Sequence, residues 1–469
     1  MSKSPDHQRL EPRRSPVLEL LVLAAPTVAQ MASYTLMQFI DTLMLSRVGT
    51  APATAAANSG LLTFSLISFG IGVLWVVNTL VSQSFGRKGF PACGRYLWQG
   101  LWFGLFMAVL FTPLIPVGGR VFRWMGHDPA LAAQEGMYLR IVLAATLFKM
   151  LGTAFWQFLL AIDRPNAVMA ATVGGVAVNA LAAWALLFGH LGFRPMGVAG
   201  SAWAQNVGVF VEMALLIFFA TRPATRRRYN LGDWKLRGAE MKTLLSVGVP
   251  SGLQFVADVL AWSLFSLWVM GQFGTPAMAA NTFMMRYMVV SFMPAFGIST
   301  AITALVGRYI GAGRPDVAQQ RANLGFALTA AYMVSCGLVF FLGRNVLIGL
   351  FTHDAEVLRI GSMLLVFAAV YQFFDALYIT YNGALRGAGD TLVPAVATAV
   401  LNWGITVMGG YFVATNFRKW GAAGPWAVAT FYGIVLGLFI YTRFRRGGWR
   451  AIRLDRPGQT DTVPGLVPV

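Results

Sequence analysis

Along the chain, apolar runs of about 18 or more residues alternate with short patches that gather most of the charge. Runs of that length predict membrane-spanning helices, whereas a transmembrane barrel would show alternating segments of about ten residues. The pattern predicts twelve spans, at 17–45, 58–85, 97–118, 139–161, 166–189, 200–220, 244–272, 277–307, 323–343, 361–384, 392–415 and 424–442. The expected class is an all-α polytopic membrane protein. An even number of crossings places both termini on one face.

Composition agrees: 57% of the 469 residues are hydrophobic and 12% charged, against about 25% charged in an ordinary soluble domain. Of the 36 Lys and Arg, 25 fall on the side of the N-terminus and 8 on the other, while Arg140, Lys149 and Arg286 fall within spans. By the positive-inside rule both termini are expected in the cytoplasm, in a plasma membrane of the bacterial inner-membrane type. The net charge of +18 and the run Arg226-Arg227-Arg228 are then topology signals that also meet anionic lipid. Membrane lipid is an expected partner and nucleic acid is not. Cys93 and Cys336 form neither a disulfide framework nor a zinc spacing. The first apolar run is too long for a cleaved signal peptide.

Two halves of the chain repeat. Pro26 with Gln30 reappears as Pro250 with Gln254, a shift of 224 residues, and Gly49-Thr50 reappears as Gly274-Thr275. Phe85-Gly86 matches Ile310-Gly311, His127-Asp128 matches His353-Asp354, Asn179 matches Asn402, and Gly197/Gly200 match Gly421/Gly424. Six spans precede the second copy, so the copies start on the same face and form a parallel, pseudo-two-fold repeat. The expected organisation is a tail (1–16), a six-helix lobe (17–220), a basic inter-lobe loop (221–243), a second six-helix lobe (244–442) and a tail (443–469). Pro26 and Pro250 remove a backbone donor inside their helices and are candidate hinges.

Ionisable residues inside spans are costly and mark functional positions or partners. They are Asp41, Arg140, Lys149, Glu212, Asp258, Arg286 and Asp375. Asp258 and Asp375 each lie 14 residues into a span, roughly 21 Å along the helix and near the midplane, so the two can meet at one level. Two carboxylates there repel, and one is expected to take up a proton, a metal ion or a cationic side chain. Arg286, nine residues into a span that starts just after Pro276, is a candidate counterion for them. Lys149 and Glu212 are further candidate cavity charges. Gln30, Gln254, Asn179 and Asn402 are candidate polar contacts, and Met285 and Tyr287 belong to a Met and aromatic stretch able to line a plastic site.

These residues carry a resemblance. Pro26 followed by Phe39-Ile40-Asp41-Thr42, Asp258 eight residues after Pro250, and Phe374-Asp375-Ala376 ten residues before Leu385-Arg386-Gly387-Ala388-Gly389-Asp390-Thr391 resemble the multidrug and toxic compound extrusion (MATE) family, NorM-like branch. The resemblance covers nearly the whole chain. It implies a MATE-like fold of twelve helices in two lobes and alternating access. It implies export of organic, cationic compounds by antiport against H⁺ or Na⁺, with Asp41, Asp258 and Asp375 as coupling residues and Asp258 and Asp375 as metal ligands if the ion is Na⁺. No cofactor beyond the transported ion is implied, and a monomer is expected. In departure from another MATE branch, Asn179 is followed four residues later by Ala183 rather than an acid. Two rival readings are a lipid or lipid-linked precursor flippase of the same superfamily, favoured by Lys149 and Arg286, and an integral-membrane enzyme. The enzyme reading finds no His cluster for a metal and no close Asp pair for a diphosphate–magnesium complex.

Overall fold

The computed structural model describes residues 15–452 and Leu454. The outer parts of both expected tails, 1–14, Arg453 and 455–469, lie outside the described residues, and so does their expected placement in the cytoplasm. In the first half the helices are α1 (Pro16–Val48), α2 (Thr50–Leu74), α3 (Val76–Gly86), α4 (Phe90–Phe111), α5 (Leu114–Trp124), α6 (Pro129–Ala144), α7 (Thr146–Ala161), α8 (Pro165–Phe188) and α9 (Val198–Ala220). A short α10 (Pro223–Arg228) opens the inter-lobe loop. In the second half α11 (Gly238–Leu264) runs on through a π segment, Phe265–Val269, and a 3-10 turn, Met270–Phe273. It is followed by α12 (Gly274–Gly311), α13 (Pro315–Gly349), α14 (Ala355–Ala388) and α15 (Leu392–Leu401). A second π segment, Asn402–Gly409, joins α15 to α16 (Gly410–Asn416), and α17 (Ala423–Arg445) closes the half.

Nine apolar helical stretches among the described residues are long enough to cross a bilayer, and two bent pairs, α4 with α5 (54°) and α6 with α7 (46°), add two more. One of the nine, Gly238–Gly311, holds 74 residues. At 1.5 Å per residue it is about 110 Å long, far more than a hydrocarbon core of about 30 Å, so it turns back at Met270–Phe273 and makes two passes. The described residues therefore make twelve crossings, and each span expected from the hydrophobic pattern falls in one of them to within a residue.

Several repeat markers have a local cause. Asp128 and Asp354 are N-caps: Oδ1 of Asp128 accepts from the Ala130 amide at 2.9 Å, and Oδ1 of Asp354 from the Glu356 and Val357 amides at 2.9 and 3.0 Å. Gly197 and Gly421 precede α9 and α17 with φ of 55° and 54°, a region that favours glycine, so both copies need glycine at the same turn.

One core, centred on Val77, Leu97 and Phe158, fills the first half. Another, around Phe265, Leu364 and Trp426, fills the second. A third crosses between them, because Leu20 and Leu23 of α1 pack with Ile302 and Leu305 of α12 and with Leu385 of α14. The hydrogen bonds and ion pairs that cross between the halves gather at mid-depth and at the end that carries Arg226–Arg228, here called the basic end. Thr27 donates to the Gly297 carbonyl at 2.9 Å, Thr79 to the Arg386 carbonyl at 2.9 Å and Gln83 to the Gly387 carbonyl at 3.0 Å. Arg308 pairs with Asp163 at 3.3 Å, and the Arg386 guanidinium lies 5.1 Å from the centre of the Trp75 ring. Gly86 and Gly311 meet the opposite half so closely that a Cβ on either would strike a backbone carbonyl, of Arg308 and of Gln83 respectively.

The inter-lobe loop is strapped to α4. Trp98 and Trp102 donate to the carbonyls of Leu231 and Trp234, each at 3.0 Å, and Gln99 bonds the Lys235 carbonyl at 3.1 Å. Arg237 hydrogen-bonds Asp233 at 2.6 Å and holds its carboxyl below the usual carboxylate range.

Candidate functional site

Two polar clusters lie inside the helical bundle, one in each half. In the second half, Gln254 and Asp258 are one turn apart on α11 and share a face, as do Tyr371, Asp375 and Tyr378 on α14. Asn402 opens the π segment between α15 and α16, where the wider turn changes the direction of the side chains. Its Nδ2 donates to Oδ1 of Asp258 at 2.6 Å, while the Trp403 indole donates to the Ala257 carbonyl at 3.0 Å and ties the π segment to α11. Gln254 donates to Thr398 Oγ1 at 3.0 Å and to the Tyr378 hydroxyl at 3.2 Å.

Asp375 is buried within electrostatic reach of Asp258, and the Tyr371 and Tyr378 hydroxyls lie near both carboxyls. No hydrogen bond to the Asp375 carboxyl occurs among the described residues, and the Asn402 Oδ1 is buried without a partner. A low-dielectric site with two carboxyls and several oxygen atoms favours uptake of one positive charge, whether a proton or a small metal ion. Among the described residues no group of three or more His, Cys, Asp or Glu gathers as for a tightly held metal.

In the first half, Gln30, Tyr34 and Asp41 rise along α1. Oε1 of Glu212, on α9, accepts from the Tyr34 hydroxyl at 2.6 Å and from Thr172 of α8 at 2.7 Å. Lys149 of α7 lies within electrostatic reach of Glu212. Gln30 is fully buried, with its amide beside the Tyr34 hydroxyl. Nearer the other end of α1, Asp41 lies against the Asn179 amide and near the Tyr138 hydroxyl.

The structure thus brings Asp258 together with Asp375, Asn402 and Gln254, brings Asp41 beside Asn179, and brings Lys149 near Glu212. Other candidates stand apart. Arg286 is exposed, without an ion pair to either acid among the described residues, and is not their counterion. The reason is helical phase: Met284 is fully buried against α13 and α14, and two residues later the helix has turned by about 200°. Tyr287 donates to the Leu347 carbonyl at 2.7 Å and packs against Phe340 and Phe351, and Met285 packs on the same core, so this stretch lies in helix packing rather than lining a cavity. Pro26 and Pro250 sit inside continuous helices. Counting charges in spans overlooks the neutral members Tyr34, Thr172, Tyr378 and Thr398. The repeat holds one clue, since a shift of 224 residues carries Asp258 onto Tyr34.

A family model described as MatE matches residues 26–185 and 250–412, blocks that hold every member of both clusters except Glu212. The chain belongs to the MatE family. It is 29% identical to the "Probable multidrug resistance protein NorM" of Mesorhizobium japonicum, over 92% of this chain and 94% of that protein. It is 28% identical to "Multidrug resistance protein PmpM" of Pseudomonas aeruginosa, over 94% and 93%. Solved structures share its fold at 18% identity. One, described as the outward-facing conformation of a multidrug resistance MATE family transporter of the MOP superfamily, aligns with a TM-score of 0.85 over 92% of this chain and 96% of that one. The eukaryotic MATE transporter AtDTX14 aligns at 0.81 over 93% and 96%. This MatE chain is a multi-pass membrane transporter and not an enzyme.

Proposed function

We propose that the protein exports organic, largely cationic compounds from the cytoplasm by antiport against H⁺ or Na⁺. The observation that carries this reading is the Asp258–Asp375 pair, two carboxyls in one buried site whose charge is satisfied only when a cation is present. Occupancy of that site changes the charge inside the second lobe and so biases which face is open. Asp41 beside Asn179 is a second acid on the path in the first lobe. The division into lobes at 17–220 and 244–442 and the placement of the basic end in the cytoplasm belong to this proposal, and the 25-to-8 distribution of Lys and Arg supports the orientation. With the halves joined at the basic end, the chain then has its cytoplasmic face closed. The names of its relatives, multidrug resistance proteins, support export of drug-like molecules.

A flippase for lipid-linked precursors would want a strongly cationic cavity. Here Lys149 faces Glu212 and Arg286 lies outside, which favours small-molecule export. The test is efflux from reconstituted vesicles under imposed pH or Na⁺ gradients at fixed membrane potential. One of the two gradients is expected to drive efflux in the parent, and Asp258→Asn and Asp375→Asn are expected to abolish that drive. Asn variants that respond to the gradient like the parent would overturn the coupling assignment.

A further inference from the structure

Arg386 stands in the last turn of α14, at the basic end, yet its charge does not leave the protein there. Side chains on a helix lean towards its N-terminus, and α14 starts at the opposite end, so the guanidinium turns inward. It lies 5.1 Å from the centre of the Trp75 ring and lines one small pocket with Asn78 and Gln157 of the first half and Thr300 of α12. Trp75 and Thr300 each precede the last residues of α3 and α12, Gly86 and Gly311, by eleven residues, about 16 Å of helix. An Arg at a helix end usually snorkels out to the headgroups, and this one does the opposite.

Arg386 is 8% exposed, and its guanidinium has neither a hydrogen bond nor an ion pair among the described residues. Neighbouring acids are engaged elsewhere: Asp390, in the loop after α14, accepts from Arg443 at 2.9 Å, and Asp163 across the seam pairs with Arg308 at 3.3 Å. Towards the midplane, Asp375, Tyr378, Asn382 and Arg386 recur at helical spacing and share one face of α14. Gln254 donates to Tyr378 and reaches Asn382 Oδ1 at 3.5 Å, while Tyr378 is within electrostatic reach of both acids and of Arg386. A polar line therefore runs from the acid pair to the closed end and finishes on a positive charge without an acid beside it. A charge held there acts on whatever ion moves along that line.

We propose that Arg386 is the charge barrier of the closed gate: it keeps the coupling cation taken up at Asp258 and Asp375 from passing to the basic end while the halves are joined. This rests on the antiport reading above and adds a condition for tight coupling, that the ion crosses only when the halves part. A cation leaving the acids along α14 meets a like charge in a low-dielectric seam, where repulsion is little screened. The Trp75 ring, supplied by the other half, holds the guanidinium across the line, so parting the halves removes the group that positions the barrier.

The test uses the full-length protein in vesicles with no drug present. Gradients of pH and of Na⁺ are imposed in turn at fixed membrane potential, and the leak of each ion is read with a trapped pH dye or with radioactive sodium. Arg386→Gln is expected to raise the leak of the coupling ion about tenfold over the parent, Arg386→Glu to raise it further, and Arg386→Lys to stay near the parent. That order follows charge and not side-chain size, which a packing role would not produce. Arg386→Met repeats the neutral substitution should the Gln variant not fold. A leak unchanged by the neutral variants, or equally raised by Gln, Lys and Glu, overturns the barrier while the antiport reading stands. A parent whose drug efflux follows neither gradient is the result that counts against the antiport reading itself.

Discussion

At the scale of single residues, the second-lobe site turns on Asn402. Its amide donates to Asp258 at 2.6 Å, and a carboxylate left in a low-dielectric site without that donor loses the group that orients it. Asn402→Leu is expected to lower gradient-driven efflux by about tenfold or more while Asn402→Asp shifts its pH dependence, both read in vesicles. A different buried acid is structural. Glu135 is fully buried and accepts from Asn58 at 2.7 Å, while its Oε2 lies 2.8 Å from His127 Nδ1. Glu135→Ala leaves these half-buried partners without their acceptor and is expected to cost about 2 kcal/mol, seen as a fall in the melting temperature of the detergent-solubilised protein. Such neutral partners were not legible from the sequence, because Asn, Tyr and Thr are tolerated in many helix packings and gain meaning only beside a charge.

At the scale of elements, closure of the basic end depends on two helix termini meeting without side chains. Gly86 ends α3 and Gly311 ends α12, each against the backbone of the other half. Gly86→Ala places a methyl group on the Arg308 carbonyl, so the two ends must part. The variant is expected to open the basic end: a cysteine placed at Thr300, buried beside Arg386 and Trp75, should label severalfold faster with a membrane-impermeant maleimide added from that side. Unchanged labelling would show that the contact does not hold the gate. The repeat had already paired these glycines, but their role as a meeting point needed both halves in place. The π segment at Asn402–Gly409 was likewise invisible in hydrophobic periodicity, since one extra residue in a turn leaves an apolar run apolar.

At the scale of the whole molecule, the ion pair of Arg308 with Asp163 bridges the halves at 3.3 Å beside the glycine contact. Asp163→Arg sets like charges against each other and is expected to favour the state open at the basic end, whereas the double exchange Asp163→Arg with Arg308→Asp restores the parent labelling rate at Thr300→Cys. Orientation has its own check. Single cysteines within 221–235 are expected to react with impermeant reagents only from the cytoplasm, and labelling from outside intact cells would reverse the topology.

Membrane class, twelve crossings, the parallel repeat and the meeting of Asp258 with Asp375 were legible in the sequence alone, because each follows from a simple rule of run length, spacing or rise per residue. An apolar run of sufficient length has no stable alternative to a helix in lipid, and two residues at equal depth on helices of known start must lie at one level. What only the tertiary structure decided was partnership: that Asn402 rather than Arg286 meets Asp258, that Tyr34 and Thr172 hold Glu212, and that Gly86 and Gly311 mark the closed end. Depth is a property of one helix, whereas contact depends on how each helix is rotated about its axis. A turn of about 100° per residue makes neighbours in sequence face opposite partners, and that rotation is settled by packing among all twelve helices together.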